Sequence, residues 1–259
     1  MNMRFRLLGD PLLVLEKIGS RAARLRRRRR LAGTAASRLM DGHTGSLSLL
    51  DIVIAAQRPA VVYDVGAHVG TWTLLVKSVI PEANIHAFEP LPRHIDAFLK
   101  RTSSCSDIHL HRTGLGSDRS TSQLHVANLS DASSFLQIAA AGRETYGLTA
   151  VEEVEVPITS IDTAVAAGEV PPPDLLKLDV QGFELEVLRG ARNALRTCRW
   201  VISEVSFERY YQEQPLFHEI AGHMFELGFV VHALSHQTPL GSRLTQTDVL
   251  FENIDLRLR

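Results

Sequence analysis

From Ser46 onward, apolar residues recur in two alternating rhythms. Over 46–57, Leu47, Leu50, Val53 and Ile54 share one helical face, and Pro59 stops the run. The apolar run 60–65 predicts a strand, 71–80 a helix stopped by Pro81, 84–88 a strand, 91–101 a helix and 108–112 a third strand. Beyond an interruption the alternation resumes. A helix is predicted over 161–167, closed by Gly168 and the Pro171-Pro172-Pro173 turn, then a fully buried strand over 175–178. Next come a helix over 184–196, a strand over 200–205, a helix over 217–227 ending at Gly228, and strands over 229–233 and 247–251. Short apolar strands alternating with helices call for a mostly parallel sheet covered on both faces.

Two stretches depart from this rhythm. Residues 114–157 hold short alternating runs (123–127 and 153–156) separated by Ser, Asp and Gly, which predicts an antiparallel insertion with loops. Residues 1–45 read as a basic extension ahead of one domain spanning 46–259. Ten Lys/Arg against Asp10 and Glu16 place about +8 on residues 1–30, so with a formal chain charge of −1 the remainder carries about −9. The basic character belongs to the extension.

A cluster such as Arg21 with Arg24 and Arg26 to Arg30 fits an anionic lipid surface, each cation contributing about 1 kcal/mol there. A solvated tail or an organelle-targeting segment fits the same composition. Nucleic acid is the poorer match, because no aromatic residues interleave with the arginines. A secretory signal is disfavoured, since the arginines follow the apolar run 11–18 and Glu16 and Lys17 interrupt its end. No run approaches the roughly eighteen apolar residues a membrane span needs. Cys105 and Cys198 are far apart and without close ligating companions, which predicts neither disulfide nor zinc site. A cytoplasmic protein, peripheral at most to the inner face of a membrane, is the expectation.

Candidate chemistry gathers at the predicted strand ends. The first strand runs into Asp64-Val65-Gly66-Ala67-His68-Val69-Gly70, with a helix following at once. Glycines at such a turn allow close approach of the backbone to a ligand. The second strand ends in Glu89-Pro90, nineteen residues past Gly70, where a carboxylate can accept both hydroxyls of a ribose. The spacing is G-x-x-x-G rather than the G-x-G-x-x-G of dinucleotide sites, with His68 where a middle glycine would stand. Asp64 would repel a pyrophosphate but attract the amino group of a methionine moiety. That favours S-adenosylmethionine over a nicotinamide dinucleotide. A second constellation lies at Lys177-Leu178-Asp179-Val180-Gln181-Gly182-Phe183-Glu184, where a buried strand ends in Asp179 and Gly182 turns the chain into a helix. Leu185, Leu188 and Arg192 set the sheet-facing rhythm of that helix. Glu204 ends the next strand, so Asp179 and Glu204 can converge on one opening. His109, His111 and His125 read as strand histidines, and Phe207, Tyr210 and Tyr211 as a cluster that lines a pocket or packs in the core.

These segments resemble the FkbM family of S-adenosylmethionine-dependent methyltransferases. The likeness rests on residues 64–71, Phe88-Glu89-Pro90, residues 177–184, Val187 to Ala191 and Ser133-Ser134-Phe135, in that family's order. It implies a class I methyltransferase Rossmann-like fold, with a seven-stranded sheet whose last strand is antiparallel. It also implies O-methylation, often of a sugar hydroxyl in a glycolipid, polysaccharide or glycosylated natural product. By that likeness the donor-contacting residues are Asp64, Gly66, Ala67, His68, Gly70, Thr71, Glu89, Pro90, Gly114, Leu115 and Asp179. His68 stands where the family commonly has Asn, and Gln181 where it commonly has Glu. Asp179 and Glu204, with His68 as a lesser candidate, are expected to orient or deprotonate the acceptor. In a variant mechanism the same carboxylates hold a divalent cation such as magnesium. A nicotinamide-dependent oxidoreductase and a non-catalytic adenosyl-binding scaffold are the competing classes.

Overall fold

The computed structural model describes residues 21–22, 25–38, 45–235 and 243–257. Helix α1 (residues 25–31) leads through a short 3-10 turn (Ala35–Arg38) to α2 (Leu47–Ala56). The domain proper then runs β1 (Val61–Val65), α3 (Thr71–Val79), β2 (Asn84–Phe88), α4 (Pro92–Thr102) and β3 (Ile108–His111). After β4 (Gly114–Leu115), β5 (Ser120–Ala127), α5 (Ala140–Tyr146) and β6 (Ala150–Thr159) come α6 (Ile161–Ala166), β7 (Leu175–Leu178) and α7 (Glu184–Arg189). The chain finishes with β8 (Trp200–Ser206), α8 (Phe217–Glu226), β9 (Phe229–Leu234) and β10 (Gln246–Asn253).

Seven strands form one sheet in the order β3-β2-β1-β7-β8-β10-β9. β1 is parallel to β2 and β7, β2 to β3 and β7 to β8, whereas β10 is antiparallel to both its neighbours. This is the class I methyltransferase arrangement. Successive strand residues point to opposite faces, so Val62, Leu175, Ile202 and Leu250 enter one core while Tyr63, Leu176, Val201 and Val249 enter the other. The first core is closed by Leu50 and Val53 of α2 and Leu75 and Val76 of α3, the second by helices α6, α7 and α8. Fully buried leucines such as Leu50 and Leu75 each contribute about 1.5–3 kcal/mol relative to exposure.

The helix expected over 184–196 ends at Arg189, and only Ala194–Arg196 resumes as a 3-10 turn. A tertiary contact ends it. Gly190 lies so close to Gly116 that a β-carbon would come within 2.1 Å of the Gly116 carbonyl oxygen. The Gly190 carbonyl is taken by the Asp162 N–H (2.8 Å), and the Asp162 carboxylate accepts the Asn193 and Ala194 N–H groups. Arg192 consequently points to solvent rather than to the sheet. The 114–157 region folds as a small second sheet in the order β4-β6-β5. β5 and β6 are antiparallel as expected, β4 joins β6 in parallel, and β6 runs on to Thr159.

Part of the basic segment is packed onto the domain. Leu31 and Ala36 belong to the α2–α3 core, the Ala36 N–H reaches Ser78 Oγ at 3.1 Å, and Arg30 pairs with Asp51. Residues 1–20, including the apolar run 11–18, lie outside the described residues. Among the described residues no helix is long and apolar enough to cross a membrane.

Candidate active site

The site is built at the carboxyl ends of β1, β2, β7 and β8, with the small sheet leaning over them. Gly66 and Ala67 both donate backbone N–H groups to the Phe88 carbonyl at 3.1 Å, which ties the β1 tip to the β2 tip. Gly66 has φ +78°, and a β-carbon there would sit 1.9 Å from the Asp179 carbonyl oxygen. Gly70, at φ +79°, would collide with the Phe98 ring at 2.9 Å. The two glycines therefore serve first to let the chain approach itself, β1 against β7 and α3 against α4. Only Gly66 also lines the open clefts. His68, the residue at the family's usual Asn position, has φ 49°, a left-handed conformation that Asn tolerates better than His.

Glu89 holds the second strand tip. Its Oε2 accepts the His68 N–H at 2.8 Å, and its Oε1 accepts the Leu91 N–H at 2.9 Å with His94 Nδ1 at 3.3 Å. A carboxylate offers about four lone-pair positions, so it keeps capacity for a ligand hydroxyl. The His68 and His94 rings meet edge to face at 4.2 Å. Burial and then His94 lower the His68 pKa, which makes a neutral imidazole the form near pH 7.

Asp64 lies beneath this surface, fully buried, and lines none of the clefts described below. Its Oδ2 accepts from the Thr73 hydroxyl at 2.6 Å, and Lys177 Nζ stands 3.5 Å from Oδ1. Burial raises its pKa, an effect that Lys177 and Thr73 partly offset. The direct attraction expected between Asp64 and a ligand amine is therefore not what the geometry offers: Asp64 is spent on Thr73 and Lys177, whose Nζ also pairs with Asp179 Oδ2 at 3.2 Å. Burial opposes the Lys177 charge, but Asp179 and Asp64 outweigh it and hold the ammonium protonated.

Asp179 and Glu204 do converge. Gln181, at φ 53°, directs its Nε2 to Asp179 Oδ1 (2.8 Å) and Glu204 Oε2 (3.2 Å), and its Oε1 accepts from the Tyr211 hydroxyl at 3.1 Å. Asp248 is directly opposite Glu204 across the β8–β10 pairing, and its carboxylate accepts from Ser46 Oγ at 3.0 Å. Burial, then Asp179, Asp248 and Glu184, push the Glu204 pKa well above the ordinary carboxylate range. Burial and then Asp179 push Asp248 the same way.

Glu184 folds back over the β7–α7 turn and accepts the Val180 and Gly182 N–H groups at 3.1 and 3.2 Å. Burial raises its pKa to about 7, against those backbone donors. A carboxyl raised on folding stabilises most below its unfolded value and loses that contribution as pH rises through the folded value. Between roughly pH 4.5 and pH 7.5 the parent is expected to lose on the order of 3 kcal/mol through this group. Glu184→Gln removes that part of the slope, as urea melts across this range would show.

Three clefts open around these groups, and Asp131 and Asp179 line all of them. One runs between the β1 and β2 tips and the small sheet, past Glu89, Pro90, Gly114 and Leu115, with Leu91, Leu124 and Phe135 as apolar walls. It suits an adenosine. Glu89 retains acceptor capacity, and the buried Nε2 atoms of His68 and His94 have no partner among the described residues. A more polar cleft over the start of α3 collects Ala67, Thr71, Arg101, Lys177 and Asp248, opposite charges in the measure an amino acid needs. The residues present therefore fit S-adenosylmethionine. The third cleft, lined by Tyr146, Tyr210, Tyr211 and Glu204, opens beside the Gln181 clip.

Sequence reasoning missed Asp131, Ser130 and Trp72, and missed that Gln181, backed by the Tyr211 hydroxyl, bridges the acid pair. Asp131 sits in a loop of the small sheet, where nothing periodic marks it. Tyr211 was visible only as one of an aromatic cluster. His111 stacks on Phe88 at 4.7 Å, and His125 pairs with Glu153. Neither lies at the Asp179–Glu204 pair.

The model of the FkbM methyltransferase domain matches residues 64–231. The hexuronic acid methyltransferase AglP of Haloferax volcanii is 32% identical over 151 residues, 58% of this chain and 57% of that protein. Methyltransferase 1 of Beauveria bassiana is 29% identical over 147 residues, 50% of this chain and 57% of that protein. The chain thus spans a little over half the length of these curated relatives. Among solved structures, the N-methyltransferase NodS of Bradyrhizobium japonicum aligns with a TM-score of 0.48 at 12% identity, covering 82% of this chain and 94% of that one. Magnesium protoporphyrin IX methyltransferase from Synechocystis, with bound S-adenosylmethionine, aligns with a TM-score of 0.47 at 11% identity, covering 81% and 78%. The chain belongs to the FkbM methyltransferase family, and its domain is a class I, S-adenosylmethionine-dependent methyltransferase domain.

Proposed function

We propose that this protein methylates a hydroxyl group of a sugar, carried on a glycolipid, a polysaccharide or a glycosylated natural product. The observation that carries the reading is the Asp179–Glu204 pair, clipped by Gln181 where the donor clefts meet a tyrosine-lined hollow. When bound, S-adenosylmethionine supplies an electrophilic methyl group. Gly66, Ala67, Gly70, Thr71, Glu89, Pro90, Gly114 and Leu115 shape its seat, with Glu89 accepting from the ribose. Asp179 aligns the acceptor hydroxyl, and holding it in place supplies much of the acceleration. Glu204, with its raised pKa, is the better matched base for a weakly acidic hydroxyl. His68, neutral and directed into the donor cleft, is the lesser candidate. AglP, by its name, acts on a hexuronic acid, which supports a sugar as the acceptor class.

The test is transfer of a labelled methyl group to a panel of glycans and glycolipids, read as a mass gain of one methyl. Turnover that survives EDTA is expected and separates the carboxylate mechanism from the divalent-cation variant. The rate should climb with pH as Glu204 ionises, and Glu204→Gln should abolish that climb with a loss of about 100-fold. Tight donor binding with no transfer to any hydroxyl would favour the scaffold reading. The nicotinamide alternative loses its ground with the family match.

The basic helix completes the proposal. Arg26 and Arg29 are exposed on α1 beside exposed Leu25, an arrangement suited to the anionic inner face of a membrane in a cytoplasmic, peripheral enzyme. The full chain should sediment with vesicles containing one third phosphatidylglycerol and not with pure phosphatidylcholine. A joint Arg26→Glu and Arg29→Glu change should release it, and equal sedimentation with both vesicles would contradict the docking.

A further inference from the structure

The hollow beside the acid pair also carries information about which sugars it takes. Resting on its reading as the acceptor side, we infer that it selects a polyhydroxyl acceptor that is neutral or bears an amine, and rejects one bearing a carboxylate. Asp131, Asp179 and Glu204 put three carboxyl groups on its wall, and among the described residues lining it there is no Lys, Arg or His. The nearby cations are engaged. Lys177 is shared between Asp64 and Asp179, and Arg209 is bound to the Gln214 carbonyl and Glu219.

Recognition of a uronate is best served by a cation or a set of directed N–H donors; no cation is among the described residues lining the hollow, and both its amides are engaged, Gln246 Nε2 reaching Ser206 Oγ at 3.3 Å. Gln181 gives its Nε2 to Asp179 and Glu204, leaving its amide nothing to offer an anion. The Tyr211 hydroxyl is directed to the Ala132 carbonyl at 2.8 Å and to Gln181 Oε1. Apart from Gln246, the rest of the wall is aromatic and apolar: Tyr146 and Tyr210 meet at 5.0 Å between ring centroids, with Leu148 beside them. Such a surface stacks on the C–H face of a sugar ring and leaves its hydroxyls to the carboxylates. Burial first, and then the neighbouring Asp179, holds Glu204 and Asp248 back from ionising, so a further anion adds to a site that already opposes negative charge. An ammonium meets the opposite field.

Saturation-transfer NMR reads this without turnover. The full chain is loaded with sinefungin, whose extra amine stands in for the sulfonium charge. Methyl glycosides of glucose, galactose and mannose are then compared with their 6-carboxylate and 2-amino counterparts at pH 7. Neutral and amino sugars are expected to bind at least about ten-fold more tightly than the matched uronates. Raising NaCl toward about 1 M should narrow the gap by screening, as should Asp131→Asn. Uronates binding as tightly as their neutral counterparts, or losing affinity with salt, overturn the inference. If sinefungin binds and none of the sugars does, it is the reading of the hollow as the sugar acceptor side that fails.

Discussion

Gly66→Ala is expected to weaken donor binding by on the order of 100-fold and to lower the melting temperature well below that of Gly168→Ala. Both glycines have left-handed backbones, φ +78° and +70°, so alanine costs about 1–2 kcal/mol at either through conformation alone. They differ in their surroundings. Nothing lies within 4 Å of a β-carbon at position 168, whereas at 66 it meets the Asp179 carbonyl oxygen at 1.9 Å and its carbon at 2.9 Å. Relieving that contact must shift the β7 tip, which carries one wall of all three clefts. The added overpacking is worth roughly 1–3 kcal/mol, or a further fall of about 5 °C in a domain of this size. Calorimetry with S-adenosylhomocysteine and thermal melts measure both effects. If the two variants behave alike, the β1–β7 closure is not what shapes the site.

Glu89→Ala is expected to reduce donor affinity by about 100-fold or more while leaving a folded protein, because two charge-assisted hydrogen bonds to ribose are each worth about 1.5–3 kcal/mol. The same change strands the His68 and Leu91 N–H groups, which the carboxylate accepts at 2.8 and 2.9 Å. Part of the loss therefore comes from the β1–α3 turn relaxing. Glu89→Gln separates the two. It keeps one acceptor oxygen, for either the His68 or the Leu91 N–H, and turns an NH2 toward the other, so it should bind the donor with intermediate affinity and melt between the alanine variant and the parent. Equal donor affinity in all three proteins would remove Glu89 from the pocket.

Most strands were legible as short apolar runs, several of them bounded by Gly or Pro, because buried parallel strands tolerate little else, whereas the seven-stranded arrangement came from the family resemblance. The turn at 64–70 and the acids at 89, 179 and 204 were legible for a related reason: a charge at the end of an apolar strand has a restricted set of places to go. What escaped depended on contacts between distant segments. Gly190 reads as a tolerable helix residue until Gly116 is placed against it. Asp64 reads as a ligand contact until Thr73 and Lys177 enclose it. Asp131 has no local signature at all, since its position follows from how the β5–α5 loop folds back over the strand tips. The left-handed backbones of His68 and Gln181 are equally invisible in composition, though both fall at the positions where the chain departs from its family's usual residue.

The account stands on donor capture by the β1 and β2 tips. Titration calorimetry of the full chain with S-adenosylmethionine, S-adenosylhomocysteine and NADH tests it most directly. The prediction is saturable one-to-one binding of both adenosyl compounds and no heat from NADH. Saturable NADH binding, with neither adenosyl compound retained, would contradict it.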